Sequence, residues 1–160
     1  MRIAKLTAVL FALTALVAVP AHADTTEVVR VYHQAATSIS TTGSGVGAVR
    51  TFFIPIAVDG KSANGQYLTG TLTTFAENVS GGLEVRGSNL TFVFGEEANQ
   101  LVVGGISLYP PAGATLAPGQ RTVRPVIGGS GEYFGARGQV VSVNMGSAGW
   151  THTFRIVLPE

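Results

Sequence analysis

A few polar groups stand on otherwise apolar, strand-like stretches of this chain. His33 follows Val29 and Val31 at a spacing of two, so on an extended strand the three share one face. Glu84 and Arg86 share a face with Phe92 and Phe94, and His152 with Phe154, Ile156 and Leu158. Arg137 opens a strand directly after a glycine-rich turn. Facing the lumen of a closed sheet, such groups would sit in a low dielectric that shifts pKa values and strengthens hydrogen bonds. That environment suits acid–base catalysis or the steering of a reactive ligand. At a rim or on an outer face, the same residues would be structural only.

Other chemistries find little to work with. The absence of cysteine removes disulfides, thiolate metal sites and cysteine nucleophiles together. Beyond residue 23 the histidines are His33 and His152, too few for a histidine-rich zinc site. Asp24 and Asp59 read as terminus and turn residues, and no G-x-S-x-G serine elbow occurs. Gly43-Ser44-Gly45-Val46-Gly47 has the look of a nucleotide loop but opens no helical pattern, so it reads as a flexible loop. Lys61, the lysine that a Schiff base would need, falls in a polar turn. We expect no cofactor and no metal.

The elements that must position these side chains are strands. No window after Asp24 shows a 3.6-residue apolar period. Runs rich in β-branched and aromatic residues alternate instead with Gly, Asn, Ser and Pro. The pattern predicts strands at 27–33, 50–58, 67–77, 83–94, 100–109, 121–127, 137–144 and 151–158, joined by turn-like connections that suit antiparallel neighbours. So many strands in one small domain imply a sandwich or a closed barrel. Segments 53–56, 91–94 and 101–103 are apolar on both faces, as a barrel with an apolar lumen and a packed or oligomeric outside requires. Closure would also remove sheet edges, which only 12% charged residues could scarcely protect. The expected fold is an all-β, single, eight-stranded antiparallel barrel.

The first residues belong to a different category. Met1-Arg2-Ile3-Ala4-Lys5 precedes an apolar run over residues 6–19, then Pro20 and Ala21-His22-Ala23. These are the three parts of a secretory signal peptide, cleaved between Ala23 and Asp24. The run falls short of the roughly 20 residues of a membrane span. Loss of Arg2 and Lys5 turns the formal net charge of +1 into about −1 over residues 24–160. A secreted domain, extracellular or periplasmic, follows, with no stable membrane insertion. Without a basic excess, nucleic acid is not an expected partner.

Residues 125–140, Pro-Val-Ile-Gly-Gly-Ser-Gly-Glu-Tyr-Phe-Gly-Ala-Arg-Gly-Gln-Val, closely resemble the signature turn of the allene oxide cyclase/dirigent superfamily. There an apolar strand runs into G-G-[STA]-G-x-[FY], followed by A-R-G or A-Y-G. Leu90–Phe94 with Leu101-Val102-Val103-Gly104-Gly105, the closing run 153–158 and the opening Val31-Tyr32 are similar to the family's other strands. The resemblance implies an eight-stranded barrel with a hydrophobic cavity, assembled as a homotrimer or homodimer. Its members include cofactor-free cyclases of an unstable epoxide and dirigent proteins that dictate the stereochemistry of radical coupling.

Where the cyclases place a glutamate after Val-Tyr and an asparagine two positions on, this chain has His33 and Ala35. His33 is thereby a candidate base or polariser. Arg137 matches the arginine of the dirigent A-R-G motif, which tilts the resemblance towards that branch. The resulting expectation is a secreted, cofactor-free barrel that binds a reactive hydrophobic small molecule and directs its cyclisation or stereoselective coupling. His33 and Arg137 are the catalytic candidates, and Tyr133, Arg86, His152 and Trp150 the substrate-binding ones. A non-enzymatic small-molecule-binding or structural barrel is the alternative.

Overall fold

Alternation with a period of two shapes most of the described residues into strands. The computed structural model describes residues 24–36 and 39–159, and the leader expected over residues 1–23 lies outside them. In β1 (Thr25–His33), Val29, Val31 and His33 are buried and the residues between them exposed. There follow β2 (Ser40–Thr42), β3 (Val49–Val58), β4 (Lys61–Val79), β5 (Leu83–Phe94), β6 (Glu96–Val103) and β7 (Ile106–Tyr109). The chain ends with β8 (Arg121–Ser130), β9 (Arg137–Asn144) and β10 (Trp150–Leu158), interrupted by two short 3-10 turns. No described helix is long and apolar enough to cross a membrane.

All pairings are antiparallel, in the order β1-β10-β9-β8-β6-β5-β4-β3. The ring closes where Val31 and Tyr32 of β1 pair with Val58 and Ala57 of β3. This is the expected eight-stranded barrel. The predicted strand over 100–109 is in fact two pieces. β6 pairs with β5 up to Leu90↔Val103, and β7 resumes at Gly87↔Ile106. Gly104 and Gly105 break the run, with Gly105 at a φ of 92° against Pro125. Together β6 and β7 fill one position of the barrel.

Two other boundaries differ from expectation. The connection expected between the strands at 50–58 and 67–77 contracts to Asp59-Gly60, both at positive φ, as a two-residue hairpin turn requires. β4 therefore starts at Lys61, with a bulge opposite Ile56 absorbing the mismatch. The short β2, which lacks an alternating apolar signature, adds to the edge of β3 through Thr41↔Arg50.

The lumen divides along its length. One half is solid core: Phe92, Leu101, Val103, Val140, Phe154 and Ile156 are almost inaccessible. Phe92 meets Phe154 edge-on at 4.9 Å between ring centroids. The other half carries the buried polar side chains, and it is there that the lumen is not filled.

Candidate functional site

At the end of the barrel where β1 finishes and β10 begins lies a cavity of about 140 Å³. His33, Trp150 and His152 form one wall, and Phe52, Leu68, Leu72 and Leu90 an apolar one. Arg50, Arg86, Arg124, Tyr109 and Ser142 supply the polar surface. Each side chain points inward because it shares parity with core residues of its own strand: His152 with Phe154 on β10, Ser142 with Val140 on β9, Arg124 with Val126 on β8.

The aromatic groups stack. His33 and His152 lie with centroids 5.1 Å apart and planes 24° from parallel, and Trp150 stacks on His152 at 6.4 Å. Phe92 closes the stack edge-on at 5.1 Å from His152. The Nδ1–H of His33 donates to the carbonyl oxygen of Gln34 at 2.6 Å. A carbonyl only accepts, so this bond fixes the neutral tautomer and leaves Nε2 as the lone-pair nitrogen. Burial lowers the pKa of His33, against a smaller opposing effect of that hydrogen bond. His152 is held well below the ordinary histidine value by burial first, then by His33 and Arg124 beside it. His152 Nδ1 shares a 2.8 Å hydrogen bond with the hydroxyl of Ser142, and its Nε2 has no partner.

Arg86 has another task. Its Nε and Nη2 donate to Glu84 at 2.9 and 2.6 Å, and its Nη1 and Nη2 reach the carbonyl oxygens of Ala114 and Pro110. Glu84 in turn accepts the N–H of Gly113 at 3.0 Å. Burial pushes the Glu84 pKa up, but Gly113, Arg86 and Arg50 together outweigh it and hold the carboxyl below its ordinary range. With Asn144 Nδ2 donating to Leu116 O, the pair pins the 110–119 loop across this end of the barrel.

The arrangement joins a neutral imidazole able to accept a proton, guanidinium groups able to stabilise developing negative charge, and aromatic surfaces that shape a ligand. Among the described residues there is no cluster of three or more His, Cys, Asp or Glu that could hold a metal ion.

Many solved chains share this architecture, among them the two that follow. A pyocyanin demethylase superposes with a TM-score of 0.57 at 19% identity, covering 82% of this chain and 99% of its own. A pterocarpan synthase dirigent protein reaches 0.62 at 12% identity, covering 87% and 93%. The fold is that of the dirigent-like barrels. No protein-family model matches the chain, and no curated protein matches it in sequence.

Of the candidate residues, the barrel gathers His33, Arg86, His152 and Trp150 around one cavity. It does not bring Arg137 or Tyr133 there. Arg137 stands on the outer face of β9, its side chain 58% exposed, in an ion pair with Asp24. Parity explains it: Val140 and Ser142 face inward, so Arg137, three and five positions earlier, faces out. Tyr133 lies in the 3-10 turn at the opposite end, packed against Phe94 at 4.7 Å. The signature glycines surrounding these two residues serve the backbone. Gly131 sits at a φ of 60°, where a Cβ would collide with Asn99 Oδ1.

Arg124, Ser142, Arg50 and Tyr109 escaped the sequence reading. Arg124 left a usable signal, since Thr122, Arg124 and Val126 alternate on one face of a predicted strand. Ser142 left none, because its partnership with His152 depends on cross-strand register.

Proposed function

We propose that this protein is a secreted, cofactor-free barrel that holds a reactive hydrophobic small molecule in the His33–His152–Trp150 cavity and directs its cyclisation or stereoselective coupling. The observation that carries the reading is the stacked His33–His152–Trp150 wall opposite an apolar one, inside an otherwise solid lumen. Two proteins of the same fold are named for the demethylation of pyocyanin and the synthesis of a pterocarpan, both reactions of small organic molecules. Catalysis in such a site is largely conformational, with the walls holding a flexible substrate close to its reactive shape. His33 accepts or polarises a proton through Nε2, and the aromatic stack orients the substrate. Cleavage of residues 1–23 accompanies export. Exposed apolar residues on the outer surface, Phe53 and Ile127 among them, favour assembly as a homotrimer or homodimer.

The test incubates the exported protein with an extract of its host culture and follows it by chiral chromatography with mass detection. Conversion of one compound to another of equal mass identifies an isomerising cyclase. A change of handedness that needs an added oxidant identifies dirigent-type coupling. A compound bound and recovered unchanged would replace catalysis with carriage, and an untouched extract would sink the proposal.

A further inference from the structure

Two arginines are buried at the same end of the barrel and are treated differently. Arg86 is 2% exposed and meets the carboxylate of Glu84 at 2.6 Å. Arg124 is 3% exposed, and among the described residues no carboxylate lies within 4.0 Å of it. Its Nη1 donates to Thr122 Oγ1 at 2.6 Å and its Nη2 to the Tyr109 hydroxyl at 2.7 Å. These neutral hydroxyls satisfy two donors without balancing the charge. The third position, Nε–H, is buried without any acceptor. Burying a charge with no counter-charge is strongly unfavourable, and buried donors are normally paired.

The imbalance extends over the whole cavity wall. Arg50, Arg86 and Arg124 line it, and among the described residues the carboxylate paired with any of them is that of Glu84, which Arg86 and Gly113 already engage. Among the described residues Arg50 donates to Thr74 Oγ1 at 3.1 Å and forms no ion pair. Both histidines of the wall are biased to the neutral form. The cavity therefore offers uncompensated positive charge beside Phe52, Leu68, Leu72 and Trp150.

We infer that the cavity binds an apolar organic anion whose single oxyanion, a carboxylate or enolate, sits on Arg124 while its body lies against the apolar wall. The inference rests on the cavity being the ligand site proposed above, and it names the chemical class of that ligand. A free inorganic phosphate would leave Phe52, Leu68, Leu72 and Trp150 uncovered, whereas the body of an organic anion removes that apolar wall from water. An oxyanion on Arg124 would supply at once the missing counter-charge and the missing acceptor. His152 Nε2, also buried without a partner, offers a second polar contact in the same wall.

The test compares a matched pair of probes of nearly equal shape, cinnamate and cinnamamide, by calorimetry on the exported protein. The carboxylate is expected to bind about tenfold or more tightly than the amide, the scale of one charge-assisted hydrogen bond. Arg124→Met is expected to erase that preference, and Arg124→Lys to keep part of it. Melting temperatures of the unaltered protein with acetate, benzoate and cinnamate, each against its amide, need no variant to fold. Equal binding of the two probes would overturn the anion assignment yet leave the cavity as a ligand site. A preference that survives in Arg124→Met would also overturn it. So would the absence of any carboxylate-specific rise in melting temperature, or a larger rise with inorganic phosphate. The product assay on host extract decides separately whether the barrel transforms anything.

Discussion

At the scale of single residues, neighbours decide what a buried ionisable group does. Arg86 and Arg124 have nearly equal burial and opposite surroundings. Removing Arg86 strands the Glu84 carboxylate, so Arg86→Met should lower stability by about 3–5 kcal/mol in urea titrations. Arg124→Met leaves no charge behind and should be neutral or stabilising in the same titration. His33 and His152 have pKa values lowered by burial from the ordinary 6.5. The unfolded chain therefore takes up protons first as pH falls, and stability present above about pH 6.5 is lost below it. Melting temperature should decline from pH 6.5 towards 5, and His152→Gln should flatten that decline. Under the proposed function, His33→Ala should reduce product yield or stereoselectivity with little change in melting temperature. An equal loss of both would make His33 structural.

At the scale of elements, strand interiors were legible and their interruptions were not. The spans 83–94 and 137–144 coincide with β5 and β9, because runs rich in β-branched and aromatic residues end there at glycine and polar turn residues. The split of 100–109 at Gly104-Gly105 was hidden, since a glycine pair within an apolar run does not show whether the ladder continues. β2 was hidden because three exposed polar residues have no apolar period. The glycine signature after β8 matters to this level of organisation. Gly131→Ala combines a positive φ with a collision at Asn99, and should cost about 1–3 kcal/mol by thermal or chemical denaturation. Activity per folded molecule should survive, because that turn lies at the far end from the cavity.

At the scale of the whole molecule, the barrel places a solid half of the lumen behind a hollow one. The packed half holds the cavity's floor rigid, so its disruption should be felt as stability. Phe92→Ala should cost about 3–5 kcal/mol, read from the denaturation midpoint. Fold class and the eight positions of the barrel followed from a strand pattern that is local and survives without tertiary contacts, but which face of each strand turns inward did not. Which inward residues meet did not follow. His152 lies beside Ser142 through the β9–β10 register, and His33 faces His152 because β1 pairs with β10. Arg137 satisfies a motif in the chain yet stands outside the barrel, because parity on β9 is counted from Val140 and Ser142. Alternation along one strand is a property of the chain itself. Register, closure and the lack, among the described residues, of a carboxylate paired with Arg124 arise only when distant strands are brought together, and they decide the chemistry of the cavity.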